Sequence, residues 1–118
     1  MRPAGWRHFW AGLAMLLPAV AAMPAPAQDF SKLDCPLLAE LRKGMLINYG
    51  FCPSDRYYVQ LYREAVPRCN STLRESQVEE LILTGKATNV VTGAQPQPQE
   101  VSRLTALLDQ LRRKNCTF

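Results

Sequence analysis

Residues 35–52 read CPLLAELRKGMLINYGFC. Leu37, Leu38, Leu41, Met45 and Leu46 recur at three- and four-residue spacing, the pattern of one helix face and not the alternation of a strand. Asp34 stands where an N-cap belongs, and Pro36 suits a first turn whose N–H has no partner inside the helix. Gly50 supplies a stop. The spacing predicts a helix over 36–48, closed by Gly50 in a left-handed C-cap with Phe51 folding back onto it.

Reading outward toward the C-terminus, a second amphipathic pattern covers 55–65, with Ser54 as N-cap after Pro53 and Pro67 beyond its end. Tyr58, Leu61, Tyr62 and Ala65 share its apolar face. A third helix is expected over 77–83, opened by the capping box Ser76-Gln77-Val78-Glu79 and ended by Gly85. Residues 84–99, TGKATNVVTGAQPQPQ, read as a flexible loop or linker in which only Val90 and Val91 suggest a short strand or a pinned segment. A fourth helix is predicted over 100–114. There Val101, Leu104, Leu108 and Leu111 repeat at 3-4-3 spacing, and Arg112, Arg113 and Lys114 complement the C-terminal dipole. The expected fold is mostly α, a small disulfide-stapled bundle of about four short helices with one long Pro/Gln/Gly loop.

Toward the N-terminus, residues 1–27 read MRPAGWRHFWAGLAMLLPAVAAMPAPA. Arg2 and Arg7 precede an apolar stretch from Phe9 to Ala22, and Ala25-Pro26-Ala27 has the small-x-small form of a cleavage site. The stretch is shorter than the ~20 residues a spanning helix needs. A secretory leader cleaved before Gln28 is therefore expected, with a retained anchor as the competing reading. The mature part, 28–118, is then a single small domain, exported to the periplasm or the outside, with no transmembrane span.

The leader carries Arg2, Arg7, His8 and no acid, so the mature part holds twelve Lys/Arg against ten acids, a net charge of +2 compared with +4 for the whole chain. No nucleic-acid partner is expected from so weak a basic field. The mature part has no histidine, which excludes a Ser-His-Asp triad, a Cys-His pair and a His-ligated zinc. No catalytic residue and no cofactor is assigned.

Cys35, Cys52, Cys69 and Cys116 all lie in the mature part. An even count in a short exported chain implies disulfides. Gaps of 17, 17 and 47 residues lack the close C-x-x-C pairs of a zinc or redox site, so no metal is expected. If the first two helices form an antiparallel hairpin, Cys35 meets Cys69, and Cys116 closes on Cys52. The spacing alone leaves the two other pairings open.

The segment from Leu38 to Cys52 resembles the core of the YARHG domain, a small bacterial exported domain named for a Tyr-Ala-Arg-His-Gly motif. That core runs Leu-x-x-Leu-Arg-Asn-x-Ile-x-x-x-x-Gly followed by an aromatic. Leu38, Leu41, Arg42, Met45, Gly50 and Phe51 fall in its register, and Cys35 and Cys52 stand where some members carry cysteines. The stretch from Leu73 to Ile82 resembles a later apolar helix of the family. Of the five naming residues only Gly50 is present, and Lys43 replaces the usual Asn. The resemblance implies a bacterial, periplasmic setting and no known activity.

The most suggestive surface feature is Tyr57, Tyr58 and Tyr62 beside Arg56 and Arg63. Aromatics flanked by arginines stack on sugars or peptides, and both types are enriched at binding hot spots. The plainer expectation puts Tyr58 and Tyr62 in the core and Tyr57 in solvent. Arg42 is expected to pair with an acid, and Glu75 and Glu79 to serve helix capping. Asn70-Ser71-Thr72 and Asn115-Cys116-Thr117 match the glycosylation sequon, which is coincidental in a bacterial chain. The function this supports is an exported, non-enzymatic binding module whose partner is a protein or glycan of the cell envelope. The alternative is a helical envelope protein that responds to acid stress in the manner of a chaperone.

Overall fold

A computed structural model describes residues 29–117; the expected leader and its cleavage point lie outside them. Among the described residues four α-helices follow one another, α1 (Cys35–Asn48), α2 (Arg56–Leu61), α3 (Glu75–Leu83) and α4 (Pro98–Arg113), with a 3₁₀ turn at Val66–Arg68. Among the described residues there is no strand. The architecture is the small disulfide-stapled helical bundle that the apolar spacing predicts.

Local chemistry sets the ends of α1. The Asp34 side chain accepts from the Leu37 N–H at 3.3 Å, and Pro36 occupies the first turn. At the other end Gly50 adopts φ +109°, and the N–H groups of Gly50 and Phe51 reach back to the carbonyls of Ile47 and Leu46. That backbone conformation favours glycine, which lacks the Cβ that strains it. α4 is the longest element. It starts two residues before the expected point, at Pro98, because the Glu100 side chain turns back to accept from the Gln97 N–H. α3 also starts early. Its N-cap is Arg74, whose N–H donates to Gln77 Oε1 at 2.8 Å, so the expected box at Ser76 and Glu79 does not form.

α1 and α4 run antiparallel, and the core sits along their seam. Leu38 near the start of α1 packs with Leu107 and Leu111 of α4 and with Phe30. Toward the other end, Leu46 and Tyr49 pack with Leu104 of α4, Val78 and Ile82 of α3, and Ala87. Six leucine and isoleucine side chains among these are fully buried: Leu38, Leu46, Ile82, Leu104, Leu107 and Leu111. Each such side chain contributes ~1.5–3 kcal/mol relative to exposure, so this seam is the main apolar stabilisation of the domain.

The antiparallel seam decides the disulfides. It brings the start of α1 beside the end of α4, and Cys35 is bonded to Cys116 with Cα atoms 5.5 Å apart. Cys52 is bonded to Cys69, Cα atoms 5.2 Å apart. The expected pairs, Cys35–Cys69 and Cys52–Cys116, do not form. They required α2 to run back along α1 as a hairpin partner, but α2 stops at Leu61, and α4 takes the place beside α1. The chain turns at Tyr62 and comes back to its own starting point, where the Asn70 N–H donates to the Gly50 carbonyl at 2.8 Å.

The loop after α3 is held to the rest of the fold. Ala87 is buried, Val90 donates to the Asn48 carbonyl at 2.9 Å, and Arg68 Nη1 donates to the Val90 carbonyl. Asn89 Oδ1 accepts from the N–H groups of Val91 and Thr92, an Asx turn that shapes the loop locally. Val90 is thus the pinned residue in a segment whose composition reads as a linker.

Candidate functional site

α2 is the element most nearly outside the core. None of its six residues is buried. Its N-cap is Asp55, which accepts from the Tyr57 N–H at 2.8 Å; Ser54, the expected cap, lies one residue too early. Side chains of this segment reach α1. Tyr57 is 53% exposed, and its hydroxyl donates to Glu40 Oε1 at 2.6 Å. Tyr58 and Tyr62 are half-buried and belong to neither core cluster, contrary to the plainer expectation. The three rings form a short ladder, with Tyr57 edge-on to Tyr58 at 5.2 Å between centroids and Tyr58 stacked with Tyr62 at 6.5 Å. Arg56 and Arg63 flank the ladder and are exposed.

The phenols of this ladder stay protonated. The hydrogen bond to Glu40 pushes the Tyr57 phenol above its ordinary range, and burial does the same for Tyr58 and Tyr62. A neutral, donor-bearing aromatic surface suits recognition.

Beside the ladder lies an open cleft of about 350 Å³. Asn48, at the end of α1, lines it. Leu61 at the end of α2, Tyr62 and Arg63 of the turn after it, and Asn89 and Val91 of the Asx-turn loop also line it. Of the five residues singled out in the sequence, Tyr62 and Arg63 line this cleft, whereas Arg56, Tyr57 and Tyr58 extend the surface along α2. Asn48, Asn89 and Val91 belong to it through the fold alone. Val90-Val91, the one apolar break in a polar stretch, is the sequence signal nearest to them.

Gly44 was a second missed signal. A glycine inside an amphipathic helix is disfavoured by ~1 kcal/mol relative to alanine and asks for a packing reason. Here the reason is Tyr62. A Cβ on Gly44 would lie 1.9 Å from the Tyr62 hydroxyl oxygen and 2.7 Å from its Cζ. Gly44→Ala is therefore expected to lower stability by about 1–3 kcal/mol through displacement of that ring, despite the gain in helix propensity. Urea unfolding measures it, and a raised midpoint would contradict the seating of Tyr62.

On the far side of α1, Arg42 is buried with 3% of its surface exposed. Its Nε donates to Glu79 Oε2 at 2.9 Å, its Nη2 also reaches that oxygen, and its Nη1 lies 2.9 Å from Glu75 Oε1. Lys43 Nζ reaches the same Glu75 oxygen at 2.7 Å and sits over the Phe51 ring. The two glutamates, read in sequence as capping groups, tie α3 to α1. Burial pushes the Glu75 carboxyl up, but the hydrogen bonds and charges of Lys43 and Arg42 more than offset this and hold it below its ordinary value of 4.5. A carboxyl lowered in the folded state stabilises above its unfolded value and loses that contribution as pH falls through the folded one. The urea midpoint is expected to hold between pH 7 and pH 5 and to drop below about pH 4.5, with Glu75→Gln flattening the drop. A midpoint that rose on acidification would contradict the network.

Tyr49 is a further perturbed group. Its hydroxyl donates to Glu100 Oε2 at 2.6 Å, and burial pushes its phenol up to about 12. This bond joins the end of α1 to the start of α4. Among the described residues no three His, Cys, Asp or Glu side chains group as metal ligands, and no helix is long and apolar enough to cross a membrane. No family model, curated protein or solved structure matches the chain.

Proposed function

We propose that this chain is a small exported binding module of the YARHG type, without enzymatic activity. It acts in the periplasm or outside the cell on an envelope protein or glycan, through Arg56, Tyr57, Tyr58, Tyr62 and Arg63. The observation that carries the reading is that α2 is fixed without being part of the core. The Cys52–Cys69 bond closes its segment, and the Tyr57–Glu40 hydrogen bond ties it to α1. Aromatics held rigid at a surface lose little freedom on binding, which favours recognition. Two disulfides support an oxidising compartment, and the secretory features of residues 1–27 support export. The resemblance of residues 38–82 to the YARHG pattern supports the same setting.

Capture from an envelope extract tests the site. The Arg56→Ala, Tyr57→Ala double variant is expected to lose the captured partner while folding normally by circular dichroism, and unchanged capture would remove this face from consideration.

The Arg42–Glu75–Glu79 network favours a second reading, an acid-responsive envelope protein. Protonating both glutamates leaves a buried guanidinium without its carboxylates and raises the net positive charge. In that case client aggregation is suppressed at pH 3 and not at pH 7; equal behaviour at both values rejects it.

A further inference from the structure

The cleft beside the tyrosine ladder has a chemistry of its own. Arg63 offers only donors and Glu64 only acceptors, and the two adjacent residues bring opposite charges to the lining. The Asn48 carboxamide provides both donor and acceptor, and the Thr92 hydroxyl, whose oxygen accepts from the Ala94 N–H, keeps its donor. The side chains of Asn48, Arg63 and Glu64 make no hydrogen bond or ion pair with other described residues, so their capacity is open to a ligand. The apolar part of the lining, Leu61 and Val91, is 53% and 37% exposed, next to the Tyr62 ring.

This combination selects among ligand classes. A cleft whose charges cancel attracts neither an anion nor a cation strongly. A peptide that binds by strand addition needs a sheet edge, and among the described residues there is no strand to offer one. An amphipathic helix needs a continuous apolar groove, which Asn48, Asn89, Arg63 and Glu64 interrupt. A sugar ring fits both halves of the lining. Its hydroxyls donate and accept with planar amides, guanidinium and carboxylate, while its C–H face rests on aromatic and aliphatic carbon. The volume, about 350 Å³, stands near the lower end of the range for small-ligand sites and suits a short saccharide segment.

We propose that the cleft formed by Asn48, the 61–65 turn and the 89–92 loop binds an uncharged oligosaccharide segment. The inference rests on the binding-module reading, since Tyr62 and Arg63 belong to both, and it narrows the partner to a glycan.

The test uses the full chain, ¹⁵N-labelled and exported with its own leader so that both disulfides form. N,N′-diacetylchitobiose, cellobiose and maltose are titrated in turn to tens of millimolar, and amide shifts are followed. At least one disaccharide is expected to shift the Asn48 side-chain amide and the backbone of 61–65 and 89–92 in a saturable way. Asn48→Ala is expected to weaken that binding about threefold to tenfold, the loss of one hydrogen bond, with the rest of the spectrum unchanged. Arg63→Gln weakens it likewise. Saturable shifts elsewhere, or an Asn48→Ala variant of unchanged affinity, overturn the placement. No shift with any of the three sugars overturns the saccharide inference. If the Arg56, Tyr57 pair then still governs capture from envelope extract, the module reading stands with a protein partner; if capture is also indifferent to that pair, both readings fall.

Discussion

Arg42→Ala is expected to destabilise the domain by about 3–5 kcal/mol, the penalty for breaking one side of a buried charge network. For a domain of this size that lowers Tm by about 15–30 °C. The loss has two parts. The guanidinium binds carboxylates on two successive turns of α3, so its removal uncouples α1 from α3. It also leaves Glu79, largely withdrawn from water, without its partner, whereas Glu75 keeps Lys43. Thermal and urea unfolding of the variant measures the effect. Replacing Arg42 and Glu79 together by methionine is expected to recover much of the loss, because an apolar pair of similar volume has no charge to desolvate. A cost near zero for Arg42→Ala would mean that α3 is held by Val78 and Ile82 alone.

Removing the long disulfide has an effect of the same order. The Cys35–Cys116 bond spans 81 positions in sequence and encloses all four described helices. In the chain-entropy model a loop of this length stabilises by ~4–5 kcal/mol, compared with ~3 kcal/mol for the 17-residue span of Cys52–Cys69. Cys35→Ser with Cys116→Ser is expected to lower Tm by about 15–30 °C. The loss concentrates where Phe30, Leu38 and Leu111 pack and where Lys114 caps the carbonyls of Ser31 and Leu33. The Cys52→Ser, Cys69→Ser pair is expected to cost less globally but to free α2, since that segment has no buried helical residue to hold it. Hydrogen exchange separates the two. Protection in α1 and α4 falls in the first variant, and protection of α2 and its flanking turns falls in the second. Equal loss of protection throughout in both would contradict the division of labour between the bonds.

Some of this was legible in the residues themselves. The extent of α1 followed from Asp34, Pro36 and Gly50, because caps are local chemistry written within a few positions. α4 followed from four apolar residues on one face. The end of α2 was not legible, since Tyr58, Leu61, Tyr62 and Ala65 keep a helical spacing through a turn. The pairing of the cysteines depended on which helix lies beside α1, a contact between residues some seventy positions apart in the described chain. No local pattern carries that. The aromatic and arginine residues along α2 were visible as a cluster, but the cleft was not, because it forms only when the Val90 loop is bonded to Asn48. Gly44 was readable as an anomaly inside a helix, and its cause sits eighteen residues away in Tyr62.

One disulfide seals the α1–α4 seam while the other closes the α2 segment. Trypsin places the four cysteines in four separate peptides, 33–42, 44–56, 69–74 and 115–118. Mass analysis of a non-reducing tryptic digest of the oxidised protein is therefore decisive. The structure requires 33–42 joined to 115–118 and 44–56 joined to 69–74, each pair separating on reduction. Peptide 33–42 joined to 69–74, with 44–56 joined to 115–118, would contradict it and restore the α1–α2 hairpin.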